Sequence, residues 1–115
     1  MKKYCLALDL KDDEISINEY EKYHQQVWPG IVASLHKAGI QQMEIYRVAS
    51  RLFMIMETGD DFNFDEKEKS DAANRVVQEW EQLMWKYQQA LPGSKPDEKW
   101  RLMKKIFDLK EQSEA

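Results

Sequence analysis

Residues 42–58 read QMEIYRVASRLFMIMET. Two runs dense in branched, aromatic and sulfur-bearing side chains flank Ala49-Ser50, and each is long enough for a strand. In the second, Leu52, Met54 and Met56 fall on one side while Phe53 and Ile55 fall on the other. The reading is therefore two strands, 42–48 and 51–58. Ala49-Ser50 has neither the Gly nor the Asn that a two-residue hairpin turn favours, so a slightly longer connection is expected.

Upstream, residues 3–10 (KYCLALDL) alternate in the same way, with Tyr4, Leu6, Leu8 and Leu10 on one face and Cys5, Ala7 and Asp9 on the other. A helix then follows, capped by Ser16 or Asn18. Its apolar face runs through Ile17, Tyr20, His24, Val27, Ile31, Leu35 and Ala38. Pro29 lacks an N–H and disfavours a helical Trp28, so the helix kinks or restarts there. Gly39 is a natural stop.

Downstream, residues 59–70 are acidic and read as a loop or a short frayed helix. A long helix is expected over 71–90, with Val76, Trp80, Leu83, Met84, Tyr87 and Leu91 as its stripe, ended by Pro92-Gly93. Residues 93–98 form a loop, 102–109 contain a last strand, and 110–115 form a polar, frayed tail.

The order is β-α-β-β-α-β, an α+β ferredoxin-like pattern in one domain over 1–110, followed by a tail over 111–115. Two helices cover one face of such a sheet. Strands with apolar residues on both faces leave the second face bare, which is unusual in a monomer. A homodimer with two sheets packed face to face, a dimeric α+β barrel, follows as an expectation.

The 115 residues, 43% hydrophobic and 33% charged, suit one globular domain. Net charge is −4 with the basic residues scattered among acids, which argues against nucleic acid as a partner. A single cysteine, Cys5, excludes an internal disulfide. The apolar run after Met1-Lys2-Lys3 stops at Asp9, so no signal peptide and no membrane span are expected, and the cytoplasm is the expected compartment.

Among groups able to do chemistry, His24 titrates near neutrality and lies one helical turn after Tyr20. Together they offer a donor and an acceptor to a hydroxylated ligand. A core histidine bonded to backbone is the competing reading. Trp80 either walls a pocket near His24 or simply packs, and Trp28 and Tyr46 carry the same two readings. Trp85 and Trp100 lie off the stripes, where they can cap or flank such a pocket. Glu21 and His24 form a single E-x-x-H pair, whereas di-iron bundles need two pairs and further carboxylates, so no metal is assigned. No phosphate loop, nucleophile elbow or zinc spacing occurs.

Several pieces spread over nearly the whole chain resemble one family. They are Tyr20-x-x-x-His24-x-x-x-Trp28-Pro29, Gly39, Ile45-Tyr46, Gln78-x-Trp80-x-x-x-Met84 and Ile106-Phe107-x-Leu109. The pattern is similar to that of the L-rhamnose mutarotases. The resemblance implies a small sugar as substrate, a 6-deoxy-hexose such as L-rhamnose or L-fucose, and no cofactor. It implies that His24 is the catalytic proton donor and that Tyr20 and Trp80 contact the sugar. Two family contact positions differ: Met43 stands where a tyrosine is expected, and Glu81 where the second tryptophan of a pair is expected. A three-residue lengthening before Pro92 and a longer acidic loop at 60–70 also depart. The competing class on this fold is a small-molecule-binding protein or a cofactor-independent oxygenase, for which a mostly apolar pocket is expected.

Overall fold

Strand β1 (Lys2–Leu10) lies inside an antiparallel sheet, in a computed structural model that describes residues 1–114. Strand β3 (Arg51–Thr58) pairs along it from Lys2↔Thr58 to Asp9↔Arg51. Strand β2 (Ile40–Val48) pairs with the far side of β3, with a bulge between Ile40 and Gln42. On β1's other side stand two short strands. Strand β4 (Gln88–Gln89) pairs with Asp9–Leu10, and β5 (Arg101–Leu102) pairs with Leu6–Ala7. The order β2-β3-β1-β4 is the ferredoxin-like arrangement expected from the sequence.

Burial follows the strand alternation. Leu6, Leu8 and Leu10 of β1, and Leu52, Met54 and Met56 of β3, are buried under the helices. The helices are α1 (Glu14–Gln25), α2 (Pro29–Lys37), α3 (Phe64–Ala72) and α4 (Arg75–Trp85). Of these, α1, α2 and α4 contribute Tyr20, Ile31, Val77, Trp80 and Met84 to a core cluster with Leu10 and Leu52. A second cluster, Ile40, Met56 and Phe62, closes the end near Tyr4.

Several local expectations are corrected. The first cap is Asp13, whose carboxylate accepts from the Ser16 N–H at 2.7 Å and from the Ser16 hydroxyl at 2.8 Å. Ser16 is thus a donor inside the first turn rather than the cap. The chain restarts at Pro29, as the missing N–H requires, and Trp28 holds extended backbone just before it. Ala49-Ser50 forms a tight turn after all, because Val48 pairs directly with Arg51. Ala49 adopts the positive φ of 50° that the turn demands, and Arg47 donates to its carbonyl at 2.7 Å. The acidic stretch contains the helix α3, capped by Asn63.

The long helix expected over 71–90 is broken. Asn74 accepts from the N–H groups of Val76 and Val77 and starts α4 afresh, while Gln88 and Gln89 have left the helix for the sheet. Asn74→Ala should cost about 1 kcal/mol, the usual penalty for losing a side-chain cap, measured as a lower urea midpoint at unchanged slope. The last strand is shorter than expected. Beyond Leu102, the Met103 N–H bonds to β1 at the Cys5 carbonyl. Ile106, Phe107 and Leu109 are exposed, with no layer of the described residues over them. A 3₁₀ turn, Leu109–Glu111, runs from the end of the expected strand into the expected tail, and Ala115 lies outside the described residues.

Candidate active site

The stripe of α1 sets the site. Tyr20 and His24 are one turn apart, and their rings stack at 4.3 Å between centroids, 31° from parallel. The helix ends at Gln25, and Trp28-Pro29 turns the chain into α2. From α4, Trp80 meets this pair: its ring lies edge-on to His24 at 5.6 Å and to Trp28 at 5.0 Å. Gly30 permits this approach of α2 to α4, since a Cβ there would sit 3.0 Å from a Val76 methyl.

Under these rings lies a cavity of about 200 Å³. That is below the roughly 300–1,000 Å³ of pockets for larger ligands, so it suits one small molecule. Its floor is apolar, from Met43, Ile45 and Met54 of the sheet and Ile31, Val77 and Met84 of the helices. Tyr20, His24 and Gln88 gather at one side, while Lys67, Asp71, Glu81 and Lys99 also reach its wall.

His24 has a defined tautomer. Its Nδ1 is 2.8 Å from the Tyr20 carbonyl, which can only accept, so Nδ1 carries the proton. The lone pair is then on Nε2, on the far edge of a ring that lines the cavity. Burial holds the His24 pKa below the ordinary 6.5, with the bond to the Tyr20 carbonyl partly opposing that shift. The imidazole is therefore neutral at pH 7 and able to accept a proton. Tyr20 behaves oppositely. Burial pushes its pKa up to about 12, so its hydroxyl remains a donor, and the Gln88 amide lies 3.4 Å from it.

A pH prediction follows. The folded-state pKa of His24 lies below its unfolded value of 6.5, so between the two the unfolded chain binds a proton that the folded chain does not. His24's contribution to stability is complete above pH 6.5 and is lost as pH falls through the folded value. If neutral His24 is the working form, kcat/KM should show an acid limb below pH 6.5, and His24→Gln should lack it.

The sequence-derived candidates separate. Tyr20, His24 and Trp80 converge on the cavity. Trp28 does not line it but packs against Trp80 from behind. Tyr46 does not fit a contact role in this cavity. Alternation along β2 places it on the opposite sheet face beside Phe53, half exposed, where its hydroxyl donates to Glu44 at 2.8 Å. Its neighbour Ile45 takes the cavity side. Trp100 lines the cavity, whereas the exposed Trp85 ring carries the Lys99 ammonium 5.3 Å from its centre. Glu21 turns away from His24 to pair with Arg47 at 2.5 Å, which separates the E-x-x-H pair. Gln88 was hidden inside an expected helix. Lys67 and Asp71, i and i+4 on α3, straddle the boundary expected between the acidic stretch 59–70 and the long helix 71–90.

The family model for L-rhamnose mutarotase matches residues 3–109. The chain belongs to the L-rhamnose mutarotase family. An L-fucose mutarotase of Xanthomonas campestris pv. campestris is 48% identical over 113 residues, covering 96% of this chain and 90% of that protein. The crystal structure of an L-rhamnose mutarotase from Formosa agariphila superposes on this mutarotase fold with a TM-score of 0.70 at 19% identity, covering 95% of this chain and 99% of that one. A dimeric ferredoxin-like protein from an uncultured marine organism shares the fold with a TM-score of 0.55 at 16% identity, covering 81% and 95% of the two chains.

Proposed function

We infer that this mutarotase is an isomerase that interconverts the α and β anomers of a 6-deoxy-hexose, with L-fucose as its preferred sugar. The observation that carries the reading is the His24 ring, whose Nδ1 proton is committed to the Tyr20 carbonyl while Nε2 remains for the ligand. The 48% identity to an L-fucose mutarotase supports the choice of sugar.

The chemistry needs one mobile proton. As the pyranose opens, the anomeric hydroxyl loses its proton, the C1–O5 bond breaks and its electron pair goes to O5, which takes up a proton. Rotation about C1–C2 and reclosure on the other face of the aldehyde reverse these transfers. His24 Nε2 receives and returns the proton. Tyr20, protonated throughout, donates a hydrogen bond that orients the sugar. Trp80 offers its ring to the C–H face and methyl group. A positioned acid–base group gives about 10²–10⁴-fold, a useful gain for a reaction that already proceeds in water.

The test is NMR exchange between the anomeric protons of L-fucose, L-rhamnose and D-glucose, with and without the protein. Faster exchange for L-fucose supports the reading. No acceleration for any of the three by the folded protein would sink it.

The working unit we propose is a homodimer in the cytoplasm. The face of the sheet away from the helices carries Cys5, Ala7, Phe53, Ile55, Tyr46 and Val48. Tyr46 and Val48 are exposed in the single chain, and a second copy of the same sheet would cover them. Sedimentation equilibrium should give twice the 13.7 kDa chain mass, and Ile55→Glu should shift it toward one chain. A single, unpaired Cys5 suits a reducing compartment.

A further inference from the structure

The His24 side of the cavity supplies few partners for the rest of a sugar. Once C1 is at His24, a 6-deoxy-pyranose still has hydroxyls at C2, C3 and C4. The floor is methionine, isoleucine and valine, and the Ser34 hydroxyl is already given to the Ile31 carbonyl at 2.7 Å. Apart from Gln88 beside Tyr20 and the indoles of Trp80 and Trp100, the polar groups that remain on the wall are charged. Lys67 and Asp71 of α3 form an ion pair at 2.5 Å, with side chains only 23% and 15% exposed. Behind it, Lys99 and Glu81 approach to 4.0 Å.

Other surface pairs show what is unusual here. Arg75 and Glu79, also one helical turn apart, are 93% and 59% exposed. Lys67 and Asp71 are drawn into a cavity wall, where desolvation of an ion pair is poorly repaid by the pair alone. They are also held in place. Gln78 of α4 donates to the Asp71 carbonyl at 2.9 Å, fixing the end of α3 against the helix that carries Trp80. Lys67, Asp71 and Glu81 line a second, outer groove as well, so they stand at the rim, between the cavity and solvent.

We propose that the Lys67–Asp71 pair is the specificity-determining element of this mutarotase, hydrogen-bonding the ring hydroxyls remote from C1. The carboxylate accepts from one hydroxyl, and the ammonium donates to its neighbour. L-Fucose and L-rhamnose differ in the orientation of the hydroxyls at C2 and C4, so a fixed donor–acceptor pair discriminates between them. This inference rests on the mutarotase reading above and adds to it how the sugar is chosen.

The experiment compares KM and kcat for L-fucose and L-rhamnose in the unaltered protein, in Asp71→Asn, in Lys67→Met and in the charge-swapped double variant Lys67→Asp/Asp71→Lys. Each single variant should raise KM for the preferred sugar roughly 10- to 100-fold, the usual worth of a hydrogen bond to a charged group, with a much smaller change in kcat. The ratio of kcat/KM between the two sugars should shrink. The double variant restores an ion pair but reverses donor and acceptor, so it should not recover the original preference. Glu79→Gln, on the outer pair, serves as the unaffected control. Wild-type KM and preference in the single variants, or full recovery in the swapped variant, would assign the pair to helix structure and overturn the proposal. Anomer exchange that is not accelerated even by the unaltered protein would instead remove the mutarotase reading, and this inference with it.

Discussion

Replacing His24 with alanine should lower the enzyme-dependent rate of anomer exchange by about 10²–10⁴-fold while the protein stays folded. The effect falls on chemistry because the imidazole lines the cavity, is held neutral at pH 7 by burial and keeps a free ring nitrogen. Its contribution to the fold is smaller. It stacks on Tyr20 and meets the edge of Trp80, but it lies outside the fully buried core. His24→Gln sharpens the measurement. Glutamine keeps a donor for the Tyr20 carbonyl but cannot accept and release a proton as imidazole does. The comparison should show kcat falling in both variants, with circular dichroism and urea midpoint near those of the parent. Full exchange rates in a folded His24→Ala protein would transfer the proton to another group and overturn the assignment.

The second large effect is at Trp80. Its ring is 9% exposed and contacts three other rings, those of Tyr23, His24 and Trp28. Truncating a buried tryptophan to alanine costs about 3–5 kcal/mol. Against a total stability of about 5–15 kcal/mol for an ordinary domain, that is a large fraction. Trp80→Ala should therefore unfold at markedly lower urea and lose activity, with the two losses entangled. Trp80→Phe separates them, because it keeps an aromatic wall and most of the packing. For that variant KM should rise while the urea midpoint moves much less. Equal KM values for Trp80→Phe and the parent would mean that the indole serves packing alone.

The sequence carried the sheet well and the second half of the helical layer poorly, for identifiable reasons. Strands β1 and β3 have apolar residues at every second position, and their pairing partners obey that alternation. Trp28-Pro29 showed where the first helix must stop, since a missing N–H cannot be disguised. In contrast, the apolar stripe from Val76 to Leu91 continues smoothly past Trp85, so no glycine or proline marks where the chain leaves the helix. Gln88 consequently looked like a helical surface residue, although it is buried beside Tyr20. Strand β2 has apolar residues on both faces, Met43 and Ile45 against Tyr46 and Val48, so alternation alone did not decide which face meets the cavity. The short strand β5 was overextended for a related reason. Residues 102–109 have strand-like composition, but the chain supplies only β1 as a partner and leaves it after Met103.

The convergence of Tyr20, His24 and Trp80 was more accessible, because helical spacing aligns the first two and Trp80 stands on the apolar stripe of the other helix. The charged rim was not. An i,i+4 lysine–aspartate pair normally marks a solvated surface, and only the fold of α3 against α4 turns it toward the cavity.

The position of β1 inside the sheet also bears on how the protein is made. During synthesis β1 emerges well before β3, whose residues lie 42 or more positions later, from Arg51 opposite Asp9 onward. Its other edge waits for Gln88–Gln89 and then for Arg101–Leu102. Leu6 and Leu8 therefore lack their β3 neighbours Met54 and Leu52 until more than forty further residues have been made. The sheet closes only once residue 102 has been made, so its long-range pairing falls late in synthesis and leaves the β1 edge open to wrong partners until then.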